Sequence, residues 1–336
     1  VDTDASANMI TFNVDPINSA PLGTDKTITT NEDTAYVFAA ADFGFSDPND
    51  TPANTLFSVV ITTLPAAGTL KLSGVAVTAG QEITAANIAN LTFEPAANAN
   101  GAGYAAFTFQ VRDDGGVANG GVDLDQSANT ITFNVTSVND APAGTDKTVT
   151  TNEDTAYVFA AADFGFSDVN DSPANTLQAV MISTLPAAGT LKLSGVAVTA
   201  GQEISLANIP NLTFEPAANA NGTGYASFTF QVRDDGATAN GGVDLDPVAN
   251  IITVNVTSVN DAPAGTDKTV TTNEDTQYIF TTADFGFIDA SDSPVNALSG
   301  VKIGTLPVAG SLTLNGVAVS AGQTVAAADI TGGLLK

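Results

Sequence analysis

The residues of this chain equipped for chemistry are its acids, and they come in short recurring groups. Residues 18–138 hold twelve of them, Asp25, Glu32, Asp33, Asp42, Asp47, Asp50, Glu82, Glu94, Asp113, Asp114, Asp123 and Asp125, against the bases Lys26, Lys71 and Arg112. Most fall in stretches of turn-forming residues: Asn31-Glu32-Asp33, Asp47-Pro48-Asn49-Asp50, Asp113-Asp114-Gly115-Gly116 and Asp123-Leu124-Asp125. Carboxylates in loops, with Asn side chains and backbone carbonyls close in sequence and no His or Cys anywhere, make a hard oxygen donor set. Calcium takes such a set; zinc and copper prefer nitrogen and sulfur. Asp47, Asp50, Asp113 and Asp114 are candidate ligands on this ground, as are Asp234 and Asp235 in the matching Asp-Asp-Gly of a second copy. The alternative is that the acids only keep an Ala-, Val- and Phe-rich chain soluble, which the repeated DxxD, DD and DxD spacings fit less well.

Other chemistries lack their parts. A hydrolase triad needs a histidine or another base, and thiol chemistry needs a cysteine. A glycosidase carboxylate pair would have to recur in every copy without a Trp to stack a sugar. Asp42-Phe43-Gly44 spells the metal-binding triplet of protein kinases, but it occurs three times with no HRD segment; Phe43 and Phe45 are expected to pack at a domain end. Lys71 and Lys192 give way to Thr313 in the third copy and are expected to face solvent, whereas Lys26, Lys147 and Lys268 recur and leave an intramolecular crosslink open. The sequons at Asn90 and Asn211 are read as chance. With 36 acids to 9 bases and a net charge of −27, nucleic acid and anionic membrane surfaces are poor partners. No apolar run reaches about 18 residues, and Val1 opens no leader signature, as expected of an internal segment. The chain is expected not to be an enzyme.

The elements that hold these acids repeat with a long period. NEDT begins at Asn31, Asn152 and Asn273, an offset of 121 residues each time, and Ala35 to Asp47 recurs letter for letter at Ala156 to Asp168. Boundaries near SVNDAP give the C-terminal strand of a preceding repeat at 1–17, complete repeats at 18–138 and 139–259, and a partial repeat at 260–336, as in a segment of a longer protein. Each full unit is long enough for its own core without disulfides. Phe107, Phe109 and Val111 alternate with polar residues, as do Ile131, Phe133 and Val135, the period of two of a half-buried strand. Val59 and Ile61 recur as Val180 and Ile182 and as Val301 and Ile303, while the residue between them is Val60, Met181 or Lys302, which marks an outward face. Asn100-Gly101 and Ser73-Gly74 read as hairpin turns, and Ala85 to Ala89 as one helical turn. About seven strands per unit predict an all-β Greek-key sandwich, Ig-like or cadherin-like, in linear array.

The order VNDAP linker, NEDT, DPND or DVND, then VRDDG resembles the cadherin-like tandem repeats of giant bacterial surface adhesins, over both full copies and the partial one. The resemblance implies calcium at each junction. Near 139 it would be held by Glu32, Asn139, Asp140, Asp168, Asp171 and Asp234, and at the next junction by Glu153, Asn260, Asp261, Asp289 and Asp292. The pattern departs from the family in places. Ser137 and Ala141 replace the outer linker residues, the aspartates are spaced DxxD, and no DRE motif appears, with Glu94 and Glu215 as substitutes. At the first junction Ser19 replaces the linker aspartate, with Asp15 as a stand-in. Gly120-Gly121-Val122-Asp123 is similar to the Gly-Asp repeats of secreted RTX proteins and reads as a loop with one additional site. The resemblance implies a secreted, bacterial cell-surface protein whose repeats form a calcium-stiffened rod or fibre, its partners being adjacent repeats of the same chain and, by lateral packing, other copies. Glycan- or protein-binding repeats and a self-assembling filament or surface layer are the alternatives.

Overall fold

A computed structural model describes residues 6–336. It is built of short strands: β1 (Lys26–Asn31), β2 (Tyr36–Val37), β3 (Leu56–Ile61), β4 (Thr69–Leu72), β5 (Val75–Ala76), β6 (Glu82–Thr84), β7 (Leu91–Glu94), β8 (Gly101–Asp113) and β9 (Asn129–Thr136). The series recurs as β10 (Lys147–Asn152), β11 (Tyr157–Val158), β12 (Leu177–Ile182), β13 (Thr190–Leu193), β14 (Val196–Ala197), β15 (Gln202–Ser205), β16 (Leu212–Glu215), β17 (Gly222–Asp234) and β18 (Asn250–Thr257). β19 (Gly300–Lys302), β20 (Thr313–Leu314), β21 (Val317–Ala318), β22 (Thr324–Ala326) and the short helix α1 (Ala327–Thr331) follow. The fold class is all-β. Among the described residues no helix is long and apolar enough to cross a membrane.

Two sheets face each other in the first series: a five-stranded one in the order β1-β9-β8-β3-β6 and a four-stranded one in the order β2-β7-β4-β5. The second series repeats both orders. β1 runs parallel to β9, Lys26 opposite Ile131 and Ile28 opposite Phe133, while the other pairings are antiparallel. Alternation decides what is buried. Phe107, Phe109, Val111, Ile131, Phe133 and Val135 all point inward, and Phe93 stacks on Phe133 with ring centroids 3.8 Å apart. Phe43 packs edge-on against Phe109 at 5.0 Å, the packing role expected of it. Val59 and Ile61 are buried and Val60 is not.

Nine strands per series stand against the expected seven. The two-residue strands β2 and β5 are too short to show a period, and the parallel β1–β9 pairing leaves no local signature. Ser73-Gly74 makes the expected turn between β4 and β5, both residues at positive φ. The turn expected at Asn100-Gly101 centres instead on Asn98 (φ 54°), and Gly101 already belongs to β8. A 3-10 helix at Ala85–Asn90 supplies the helical turn.

The expected strand at 1–17 falls partly on residues 1–5, which lie outside the described ones. Residues 7–17 form no strand, and Met9, Ile10, Phe12 and Val14 are exposed, because no described segment offers them a ladder to pair with. Lys268 to Asn273, matching β1 and β10, likewise has no partner strand. The residues after 260 gather a smaller core of Val319, Val325, Ile330 and Leu335, with Phe280 and Phe285 packed against it.

By packing, the chain divides into two compact units. The first runs to Pro142 and takes in Asp168–Thr176 and Asp234–Leu245; the second holds Ala143–Ser167, Leu177–Arg233 and Asp246–Lys336. This division does not follow the sequence period, and side-chain hydrogen bonds explain why. Asn139 donates to Val243 O (2.6 Å) and to Asp234 Oδ1 (3.2 Å), and the Asp140 N–H donates to Asp171 Oδ2 (3.1 Å). The linker thereby binds the two acidic loops to the first unit.

Candidate metal centre

One arrangement of acids and amides occurs three times. In its first instance, Asn18 donates from Nδ2 to Asp113 Oδ1 (3.0 Å), and the Ser19 N–H donates to Asp50 Oδ2 (2.9 Å). The Asn54 N–H donates to Asp47 Oδ2 (2.6 Å), and its carboxamide donates to Asn18 Oδ1. The linker asparagine thus ties Asp113 at the end of β8 to the loop that follows the 3-10 helix Ala40–Phe43. Asp47 and Asp113 are buried, yet Asp47 Oδ1 and Asp113 Oδ2 have no hydrogen-bond partner. Burial, then the neighbouring charges of Asp47 and Asp123, raise the Asp113 carboxyl, against donation from Gly115 and Asn18.

The second instance belongs wholly to the first unit. The Asn175 N–H donates to Asp168 Oδ2 (2.6 Å), Asn175 also donates to Asn139, and Asp168 Oδ1 is buried without a partner. Here Asp140 stands where Ser19 does, and it brings acids of β1's end into the group. Burial, then Asp33, Glu32 and Asp168, raise its carboxyl. Asn98, with its carboxamide turned to satisfy both ends, donates to Asp33 Oδ2 (3.3 Å) and Asp140 Oδ2 (3.2 Å). Glu32 is buried and held by the Val138 N–H (2.6 Å), Ser137 Oγ (3.1 Å) and Asn100 Nδ2 (3.0 Å). Asp171 is pushed up to about 6, first by burial and then by the carboxylates of Asp168 and Asp140, despite the Asp140 N–H. Asp234 is raised by burial and Asp168.

The third instance, in the second unit, is the tightest. One carboxylate oxygen from each of Glu153, Asp261 and Asp292 lies within 4.8 Å of the others. The Asp261 N–H donates to Asp292 Oδ1 (2.8 Å), while Asn296 donates to Asp292 Oδ2 (2.9 Å), to Asn260 Oδ1 (2.6 Å) and from its N–H to Asp289 Oδ2 (2.9 Å). Asp261 Oδ2 and Asp289 Oδ1 are buried and unpartnered. Burial, then Asp154, Asp292, Glu153 and Asp289, raise Asp261. Asn221 and the Val259 N–H hold Glu153 below the usual range, so it stays charged beside Asp261, whose carboxyl is raised.

These donors fit a hard cation. All are oxygens, five of the buried ones lack any hydrogen-bond donor, and the raised carboxyls record burial first and then repulsion, both of which a positive charge would relieve. Of the residues singled out by sequence, the geometry groups Asp47, Asp50 and Asp113; Glu32, Asn139, Asp140, Asp168, Asp171 and Asp234; and Glu153, Asn260, Asp261, Asp289 and Asp292.

Asp114 and Asp235 stand apart. Each accepts from the main chain and hydroxyl of a threonine, Thr55 (2.7 and 2.8 Å) or Thr176 (2.7 and 2.8 Å), and is lowered by those bonds. They lock a loop. Glu94 and Glu215 pair with Lys71 and Lys192, Asp123 with Arg112 at 2.9 Å, and Asp15 is exposed. Three kinds of residue escaped the sequence reading: Asp33 and Asp154, the second acids of NED; Asn98; and Asn54, Asn175 and Asn296. All of them recur at the repeat period, the signal that could have found them.

The recurring lysines form ion pairs. Lys26, Lys147 and Lys268 lie 2.7, 2.7 and 2.5 Å from buried Asp42, Asp163 and Asp284. Burial alone would raise Asp42, but donation from the Ala39 N–H, Lys26 and Tyr36 outweighs it and holds the carboxyl low.

Residues 139–246 match the family model described as bacterial Ig domain. The comparison with curated proteins returned no match. Similar solved structures include human CDH23 EC21-23 (12% identity, TM-score 0.42, covering 85% of this chain and 88% of that one). Human mucin-like protocadherin EC1-2 (13%, 0.36, 71% and 98%) and mouse cadherin-23 EC22-24 (13%, 0.37, 70% and 67%) are others. Residues 139–246 are thus similar to a bacterial Ig domain, and the near-copy 121 residues upstream repeats the same two-sheet topology.

Proposed function

We propose that this chain is a non-enzymatic, extracellular structural or adhesive segment of a bacterial surface protein, and that calcium bound at the recurring acid groups stiffens it. The repeat units are taken as 18–138 and 139–259, with a partial one at 260–336. Glu153, Asp261, Asp289, Asp292 and Asn260 would hold the ion in the third instance; Glu32, Asn139, Asp140, Asp168, Asp171 and Asp234 in the second; Asp47, Asp50 and Asp113 in the first. Bound calcium supplies positive charge and six to eight oxygen coordination. The observation that carries this reading is the buried carboxylate oxygen without a donor at Asp47, Asp168 and Asp289, equivalent places in all three copies.

The residues' own part is electrostatic. Without a cation, Asp140, Asp168 and Asp171 repel one another across the linker; with one, the same charges bind linker and loops together. Extracellular calcium modules bind at roughly 0.1 to 1 mM, so such a segment would be loaded outside the cell and unloaded within it. Small-angle scattering of the chain in millimolar calcium and in excess chelator tests this. The reading expects a rigid particle that becomes flexible on chelation; coincident profiles would return the acids to the role of solubilising charge.

A further inference from the structure

Five Asn-Gly pairs occur in this sequence, at Asn100, Asn119, Asn221, Asn240 and Asn315, and a glycine after asparagine leaves the carboxamide open to attack by the main chain. The structure divides them. Asn100 and Asn221 are held: their Nδ2 atoms donate to Glu32 (3.0 Å) and Glu153 (2.9 Å), and Gly101 and Gly222 sit opposite Val135 and Val256 in sheet ladders. Asn315 closes the turn between β20 and β21, with Leu314 opposite Val317 and its own N–H donating to Leu334 O (2.9 Å).

Asn119 and Asn240, both in the first unit, are not held. Each is exposed, outside any ladder, and interrupts a 3-10 turn, Ala118–Gly120 or Ala239–Gly241, with a left-handed backbone (φ 55° and 57°). Among the described residues neither carboxamide makes a hydrogen bond. A Cβ placed on Gly120 or Gly241 would meet nothing within 4 Å, so the main-chain nitrogen that must swing onto the carboxamide is uncrowded. Both turns belong to a loop that grips a linker asparagine. Asn18 donates from Nδ2 to Gly116 O (3.1 Å) and Val122 O (2.9 Å), and its carbonyl accepts from the Val122 N–H (3.0 Å). Asn139 donates to Val243 O (2.6 Å), and its carbonyl accepts from the Val243 N–H (2.9 Å).

We propose that Asn119 and Asn240 are sites of spontaneous deamidation, and that the product loosens the grip on Asn18 and Asn139. The Gly120 or Gly241 nitrogen bonds to the asparagine Cγ, its proton and the side-chain nitrogen leave as ammonia, and a cyclic imide remains. Water opens the ring at either carbonyl, giving aspartate or isoaspartate. Isoaspartate routes the main chain through the side-chain carbon and so lengthens the gripping loop. Asn18 also donates to Asp113, a candidate ligand, so the test is run in chelator, where the calcium reading plays no part. The full chain, aged in mildly alkaline buffer, is mapped by peptide mass and by isoaspartyl methyltransferase labelling. Asn119 and Asn240 should convert roughly tenfold faster than Asn100 and Asn221, whose carboxamides must first leave a charged acceptor. In urea, which removes that protection, the five pairs should convert alike. Hydrogen exchange at the Val122 and Val243 amides should be faster in the aged chain, and a chain carrying Asn119→Gln and Asn240→Gln should age without that change. No conversion at Asn119 and Asn240, conversion of all five pairs at one rate in the folded chain, or unchanged exchange after ageing would overturn the proposal.

Discussion

Replacing Asp171 by Asn should have opposite effects with and without calcium. The Asp171 carboxyl is pushed up to about 6 from an ordinary 3.8 by burial and by the charges of Asp168 and Asp140. A tenfold change in acidity corresponds to about 1.4 kcal/mol between the two protonation states, so a charged Asp171 at pH 7.5 costs about 1 to 3 kcal/mol, shared with its neighbours. An asparagine keeps an oxygen to accept the Asp140 N–H (3.1 Å) and removes the repelled charge. In chelator, Asp171→Asn should therefore melt several degrees above wild type, taking about 4 °C per kcal/mol for a unit of this size. In millimolar calcium the order should reverse, because the variant lacks a charged ligand and loses most of the metal-induced rise. Differential scanning calorimetry in both buffers reads both signs. If the substitution lowers the melting temperature equally in the two buffers, Asp171 is an ordinary structural acceptor and the repulsion argument is wrong.

Acid should act on the metal-free protein in the same sense. The folded-state value of Asp171 lies above its unfolded value, so the stability its proton confers is present below about 3.8 and lost as pH rises through about 6; thermal melts in chelator should be higher at pH 5 than at pH 7.5. Asp163 runs the other way. Its burial acts upward, but donation from Ala160, Lys147 and Tyr157 overcomes it and holds the carboxyl low, so its contribution is present above the unfolded value and falls away in stronger acid. Lys147→Met leaves that buried carboxylate without its 2.7 Å partner and should cost about 1 to 2 kcal/mol by urea denaturation, discounted for the exposed lysine. Gly189→Ala should cost more, about 2 kcal/mol or above. The backbone there has φ +68°, and a Cβ would meet Phe214 Cζ at 2.4 Å and Glu215 O at 2.8 Å. Equal melting of Gly189→Ala and wild type would contradict that steric account.

The core was the most readable part of the sequence, because period-two burial writes itself into residues such as Phe107, Phe109 and Val111. Near-identical copies sharpened it: Val60, Met181 and Lys302 marked an outward face that no single copy would have revealed. The parallel pairing of β1 with β9 was not readable, since it joins residues about 105 apart and its strand, KTITTN, has only Ile28 buried. Of the candidate ligands, those fixed by the order of motifs came together in the structure. Asp114 could not be told from Asp113, although one step past the end of β8 points it to a different partner, Thr55 in place of Asn18. Asn98 was hidden for a related reason: it bridges Asp33, after β1, to Asp140 from the turn after β7, whose centre the sequence placed two residues too late.

A calcium titration by isothermal calorimetry, comparing the full chain with a variant carrying Asp261→Asn and Asp292→Asn, tests the central claim most directly. The account predicts saturable binding at roughly 0.1 to 1 mM for the wild type and fewer sites in the variant, because two of the three clustered carboxylates in the second unit are gone. No saturable heat, or identical titrations for the two proteins, would contradict it.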